Sequence, residues 1–218
     1  HRLLTFAASN NRIEAVPFEL GQLRNLRELS LKENLLKTLP DTIGDLTALR
    51  HLNLFGNRLQ ELPDTIGSLE KLVTLHVNRN RLISLPSEIG TLVHLQQLDV
   101  DNNLLQSLTP AIGSLPVLRR LSLSNNHLKT LPPDIGDLTH LRELYVVNNR
   151  LTELPLRLAE CRGLELLHVE VNKLKRIDAS LSLLTELRTF DFDENPIEDE
   201  HLAALQNHPA EEIIAYLA

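Results

Sequence analysis

Nine histidines, 29 aspartates and glutamates and one cysteine are the side chains here with reactive or metal-ligating potential. Asp191-Phe192-Asp193-Glu194-Asn195 opens like a calcium-binding loop, in which oxygen donors occupy alternate positions. The turn position that such a loop reserves for glycine is Pro196, however, and its twelfth position is Leu202 instead of glutamate, so calcium is set aside. His51 and His76, with Asn53, form a pair of nitrogen donors, but a transition-metal site needs three or four strong ligands. Asp99 and Asp101 share one face of an extended segment, yet an open face closes no pocket over them. Cys161 replaces a core leucine and reads as a buried, inert thiol. No glycine-rich phosphate loop occurs, because the recurring glycines fall in Ile-Gly pairs. These groupings assign no catalytic residue, no metal and no cofactor.

The spacing that does dominate is structural. Asn recurs at Asn11, Asn34, Asn57, Asn80, Asn103, Asn126, Asn149, Asn172 and Asn195, every 23 residues. Apolar residues stand eight, five and three positions before each, as in Leu26, Leu29 and Leu31 or Leu95, Leu98 and Val100. Another follows two positions after it, and a second half of the unit reads Leu39-Pro40, Ile43-Gly44, Leu46. Alternation in the LxL stretch specifies a short strand with its leucines inward. The asparagine stands where the chain must turn inside the protein, and its amide both donates and accepts, so it satisfies backbone groups that the turn leaves unpaired. Leu-Pro and Ile-Gly interrupt regular structure and return the chain along the outer side. One such unit cannot bury its own apolar face, but stacked neighbours bury it for each other.

The unit LxxLxLxxNxLxxLPxxIGxLxx resembles the leucine-rich repeat, over about residues 3 to 197. Its LPxxIGxL half is similar to the type found in plant intracellular Ras-group proteins, Scribble and Erbin, Roco GTPases and many bacterial proteins. The resemblance implies an α/β solenoid, a horseshoe with a parallel concave sheet and an irregular or 3-10 convex side. Two domains are expected: a solenoid of about nine repeats over residues 1–197 and a helical cap over 198–218. In the cap, Asp199 to Gln206 and Ala210 to Leu217 read as helices, with Leu202, Leu205, Ile213, Ile214 and Leu217 inward. The first repeat lacks a comparable cap, and additional residues upstream are expected.

Solenoids bind mainly with the concave face. The strand residues pointing there are those two, four and six positions before each ladder Asn. Acids dominate these columns: Glu28, Asp99, Asp101, Glu143, Glu170, Asp191 and Asp193 against Lys32 and Arg120. Large apolar side chains also stand there, and such residues on a solvent-facing surface read as interface anchors. Two patches result, His51, Asn53, Phe55, His76 and Asn78 in one, Tyr145, Val147, Leu166 and His168 in the other, with an acidic end at Glu170, Asp191, Asp193 and Glu194.

The expected function is therefore a protein–protein interaction module, not an enzyme. A second reading makes it the recognition arm of a larger signalling enzyme, such as a Roco GTPase, a kinase or a ubiquitin-ligase effector. The partner is another protein with basic and apolar contact groups, and the same face is compatible with a homodimer. A net charge of −7 speaks against nucleic acid. No segment is apolar enough to span a bilayer. One cysteine permits no internal disulfide, which favours a cytoplasmic setting.

Overall fold

In the computed structural model, which describes residues 2–218, each LxL stretch forms a three-residue strand. These are β1 (Thr5–Ala7), β2 (Glu28–Ser30), β3 (His51–Asn53), β4 (Thr74–His76), β5 (Gln97–Asp99), β6 (Arg120–Ser122), β7 (Glu143–Tyr145), β8 (Leu166–His168) and β9 (Thr189–Asp191). They pair in parallel and in sequence order, and every partner lies one repeat away: Thr5 opposite Glu28, Leu52 opposite Leu75, His168 opposite Asp191. The middle residue of each strand from β2 onward is buried, whereas its neighbours face the concave side and are at most partly covered, except Ser122. A stack of coils, a curved leucine-rich-repeat horseshoe, follows from repeating that one register.

The ladder asparagines close the inner corner of each coil. Asn126 donates to the carbonyls of Val100, Leu123 and Ser124 at 3.1, 3.0 and 3.3 Å, and its Oδ1 accepts from Leu105 N at 2.9 Å. From Asn34 to Asn195 each amide thus ties four backbone groups from two coils, and from Asn34 to Asn172 the column is buried. The residue just before each ladder Asn has a left-handed backbone, at Asn10, Glu33, Gly56, Arg79, Asn102, Asn125, Asn148, Val171 and Glu194. Glycine and asparagine suit that conformation, whereas for the β-branched Val171, with φ 55°, it is strained.

The convex side is a series of five-residue 3-10 turns, from Phe18–Gln22 to Ala179–Leu183. A proline precedes most of them in extended conformation, as Pro40 does with φ −72°. The Ile-Gly glycines act by close approach more than by breaking structure. A Cβ on Gly44 would lie 2.5 Å from Thr65 O in the next coil, and one on Gly113 2.4 Å from Asp134 O. Ala159 and Ser182 take this place in the last two turns.

The core is one continuous leucine column, and its two ends differ. At the far end Phe190 and Phe192 replace leucines, with ring centroids 5.1 Å apart. Helices α1 (Glu200–Ala204) and α2 (Ala210–Leu217) cover that end, with Leu202 and Ile213 buried. Asp199 caps α1 by accepting from His201 N and Leu202 N, both at 3.0 Å, and Tyr216 of α2 donates to the same carboxylate. Both helices fall where the sequence places them, and Leu205, Ile214 and Leu217 are partly buried against the core. At the first coil Leu3, Leu4 and Phe18 are exposed, and among the described residues no strand pairs with the outer edge of β1.

Candidate functional site

The parallel register sets side chains 23 residues apart shoulder to shoulder, so the concave columns form rows across the coils. In the first rows His51 Nδ1 lies 2.9 Å from Thr74 Oγ1, and Asn53 Oδ1 accepts from Phe55 N at 3.1 Å. The Arg79 guanidinium sits 5.4 Å from the Phe55 ring centroid. A shallow hollow of about 440 Å³ opens here between Thr5, Glu28, Ser30, His51, Asn53 and His76. His51 and His76 turn to different partners, Thr74 and Asp99.

The middle rows carry a polar network. His76 Nδ1 is 2.7 Å from Asp99 Oδ2, and Gln97 donates to the same oxygen at 3.0 Å. Arg120 Nε stands 3.7 Å from Asp99 Oδ1, while Arg120 Nη1 donates to Glu143 and, at 3.2 Å, to the Tyr145 hydroxyl. Tyr145 in turn donates to Glu143 at 3.1 Å, and its ring lies 4.5 Å from the Arg120 guanidinium. Burial raises the Asp99 pKa, but the hydrogen bond and charge of His76, the Gln97 hydrogen bond and the Arg120 charge outweigh it, so the carboxyl lies below its ordinary 3.8. Asp101 behaves oppositely. It accepts from Ser122 Oγ and Ser124 N at 2.7 Å, yet burial dominates and pushes its pKa up.

The network continues into the last rows. The Tyr145 ring stacks on His168, with centroids 5.1 Å apart and planes 19° from parallel. His168 Nδ1 lies 3.2 Å from Glu170 Oε1 and 3.1 Å from Asp191 Oδ2. The two patches expected from the sequence are thus one strip, joined through Asp99, Arg120 and Glu143. Phe55, Tyr145, Val147 and Leu166 are half-buried, because side chains one strand apart cover each other's flanks. Asn78 and Asp193 are half-buried in the same columns, and each has an enclosed Oδ1 that accepts no hydrogen bond from a described residue.

The remaining chemical candidates are structural. Asn195 belongs to the ladder, accepting from Leu174 N at 2.9 Å and donating to Val169 O at 3.0 Å. Cys161 is fully buried, its thiol donates to Ile135 O at 3.2 Å, and burial with the nearby Glu160 and Asp137 charges pushes its pKa up to about 12. Such a thiol is not a nucleophile at neutral pH.

Comparison with known proteins agrees with this architecture. A family model described as a leucine-rich repeat region matches residues 2–109, and one described as leucine rich repeat matches residues 93–151. A leucine-rich-repeat protein of Leptospira interrogans superposes with a TM-score of 0.89 at 32% identity, over 99% of this chain and 53% of that one. The plant peptide hormone receptor RGFR1, solved in complex with RGF2, gives 0.74 at 31% identity over 88% of this chain and 36% of its own. A chain of the octameric complex of Latrophilin 3, Unc5D and the leucine-rich-repeat protein FLRT2 gives 0.81 at 28%, over 90% and 62%. The chain therefore spans about half the length of the bacterial protein and roughly a third of the plant receptor. A search of curated proteins finds no significant match. The chain is a leucine-rich-repeat protein. No helix among the described residues is long and apolar enough to cross a membrane.

Proposed function

We propose that this chain is a protein-interaction module whose partner docks on the concave face. The observation that carries this reading is the continuous strip from His51 to Asp193, in which half-buried aromatic and aliphatic side chains are interleaved with carboxylates that outnumber the bases. Apolar anchors supply contact area, and the acidic surplus favours a partner with basic groups. Solved relatives support the reading: the plant receptor is in complex with RGF2, and the FLRT2 assembly contains two further proteins. The scaffold is preformed, so docking needs little backbone rearrangement. Catalysis has no part in this proposal, since Cys161 is enclosed and Asp101 is held by Ser122 and Ser124. We infer a cytoplasmic setting from the single, buried thiol.

The test is affinity capture with three forms of the chain. The Phe55→Ala, His76→Ala, Tyr145→Ala triple variant should lose the proteins retained by the native chain, and Ile83→Ala with Val93→Ala, away from the strands, should keep them. Equal capture by the triple variant refutes concave docking.

A further inference from the structure

We propose that His168, Glu170 and Asp191 form a binding site for a divalent transition-metal cation, with zinc the best-fitting ion. One donor atom from each lies within 4.8 Å of the other two. The separations from His168 Nδ1, 3.1 Å to Asp191 Oδ2 and 3.2 Å to Glu170 Oε1, are those of neighbouring corners of one coordination polyhedron. A tetrahedral ion with ligands at about 2.0–2.2 Å holds its donors roughly 3.3–3.5 Å apart. Small side-chain adjustments therefore suffice to admit it.

Three further features favour an ion over a purely structural cluster. The Tyr145 stack holds the imidazole plane, and such fixing of a ligand ring preorganises a metal site. Glu170 Oε2 is enclosed and accepts no hydrogen bond from a described residue, and the same holds for Asp193 Oδ1, one coil further along the same column. Among the described residues no lysine or arginine forms an ion pair with Glu170, Asp191 or Asp193, so no permanently charged base offsets these carboxylates. An enclosed carboxylate oxygen without a partner is costly, and a cation held by Glu170 relieves that cost at its carboxylate. The choice of ion follows from the donors. Calcium and magnesium take oxygen ligands, whereas an imidazole nitrogen beside carboxylates suits zinc and its transition-metal neighbours. Three protein ligands leave a coordination position free on the open concave side, where Asp191 is 38% exposed.

Zinc chloride alone is the probe, titrated into untagged chain in metal-free buffer at neutral pH and followed by calorimetry and by metal content after dialysis. Partner docking plays no part, so the outcome is independent of the concave-face proposal. One bound zinc is expected, with binding weakened by more than about tenfold in His168→Ala, Glu170→Gln and Asp191→Asn. His51→Ala with His76→Ala should bind as the native chain does, and circular dichroism should be the same for all forms. Glu170→Gln keeps the side chain's shape, so it separates ligand loss from misfolding. The site is overturned if no stoichiometric zinc is retained, if His168→Ala binds equally well, or if calcium binds as tightly as zinc.

Discussion

Asn126 and Asn11 are the same residue at the same point of the repeat, yet the structure uses them differently. Asn126 lies between two complete coils, is 4% exposed, and satisfies three carbonyls and one amide N–H. Asn11 belongs to the first coil. It is exposed, reaches only Ala8 O and Ser9 O, and has no preceding coil among the described residues to offer an N–H to its Oδ1. A ladder residue is therefore a property of two adjacent coils. The motif marks its position, and the neighbours set its energetic weight.

That contrast can be broken most sharply at its strong end. Asn126→Ala leaves a buried N–H and several buried carbonyls without partners, and we expect a loss of about 3–5 kcal/mol in urea unfolding. A loss below about 1 kcal/mol would show that the ladder is dispensable. A smaller effect, with a pH signature, is expected at Asp99, whose side chain is 14% exposed. Its pKa is lowered in the folded state, so its contribution is complete above pH 3.8 and is lost as pH falls through the lower folded value. Asp99→Asn should cost about 1–2 kcal/mol at pH 7 and progressively less below pH 4. Asp101 has the opposite sign, since its raised pKa gives a contribution that is present at low pH and lost as pH rises through the folded value. Asp101→Asn should therefore not show the acid-side decline of Asp99→Asn. Val171→Asn removes a β-branched residue from a left-handed backbone and should add about 1 kcal/mol. Thermal denaturation at one protein concentration reads it, and no gain would mean that the valine methyls pack well enough to offset the strain. The smallest effect is expected for Asn11→Ala, under about 1 kcal/mol, since its groups already meet water.

Much of the architecture was readable because each repeat position has one dominant physical demand. An amide every 23 residues could be placed at a buried corner from donor and acceptor chemistry alone, and alternating leucines fixed the face of every strand. The cap helices were readable for the same reason, with Pro209 as punctuation and apolar spacing in Ala210 to Leu217. The left-handed position before each ladder Asn was not seen. Gly56 and four asparagines signal it, but Glu33, Arg79, Val171 and Glu194 stand at equivalent positions and obscure the pattern. The joining of the two patches escaped as well, because the contacts from His76 to Asp99 and from Arg120 to Glu143 depend on how far long side chains lean sideways across strands. Convergence of His168, Glu170 and Asp191 is of the same kind: column membership was visible in sequence, whereas the direction of Nδ1 was not.

The approach of each Ile-Gly glycine to the next coil has a consequence for shape. Where a methyl is missing, the outer rim of the stack draws in, and the bow of the whole molecule relaxes towards straightness. Ala159 restores the missing carbon near the end, so the spine should splay between the last two turns more than in the middle. The radius of the binding hollow would then be written on the opposite side of the protein, in residues that never meet a ligand.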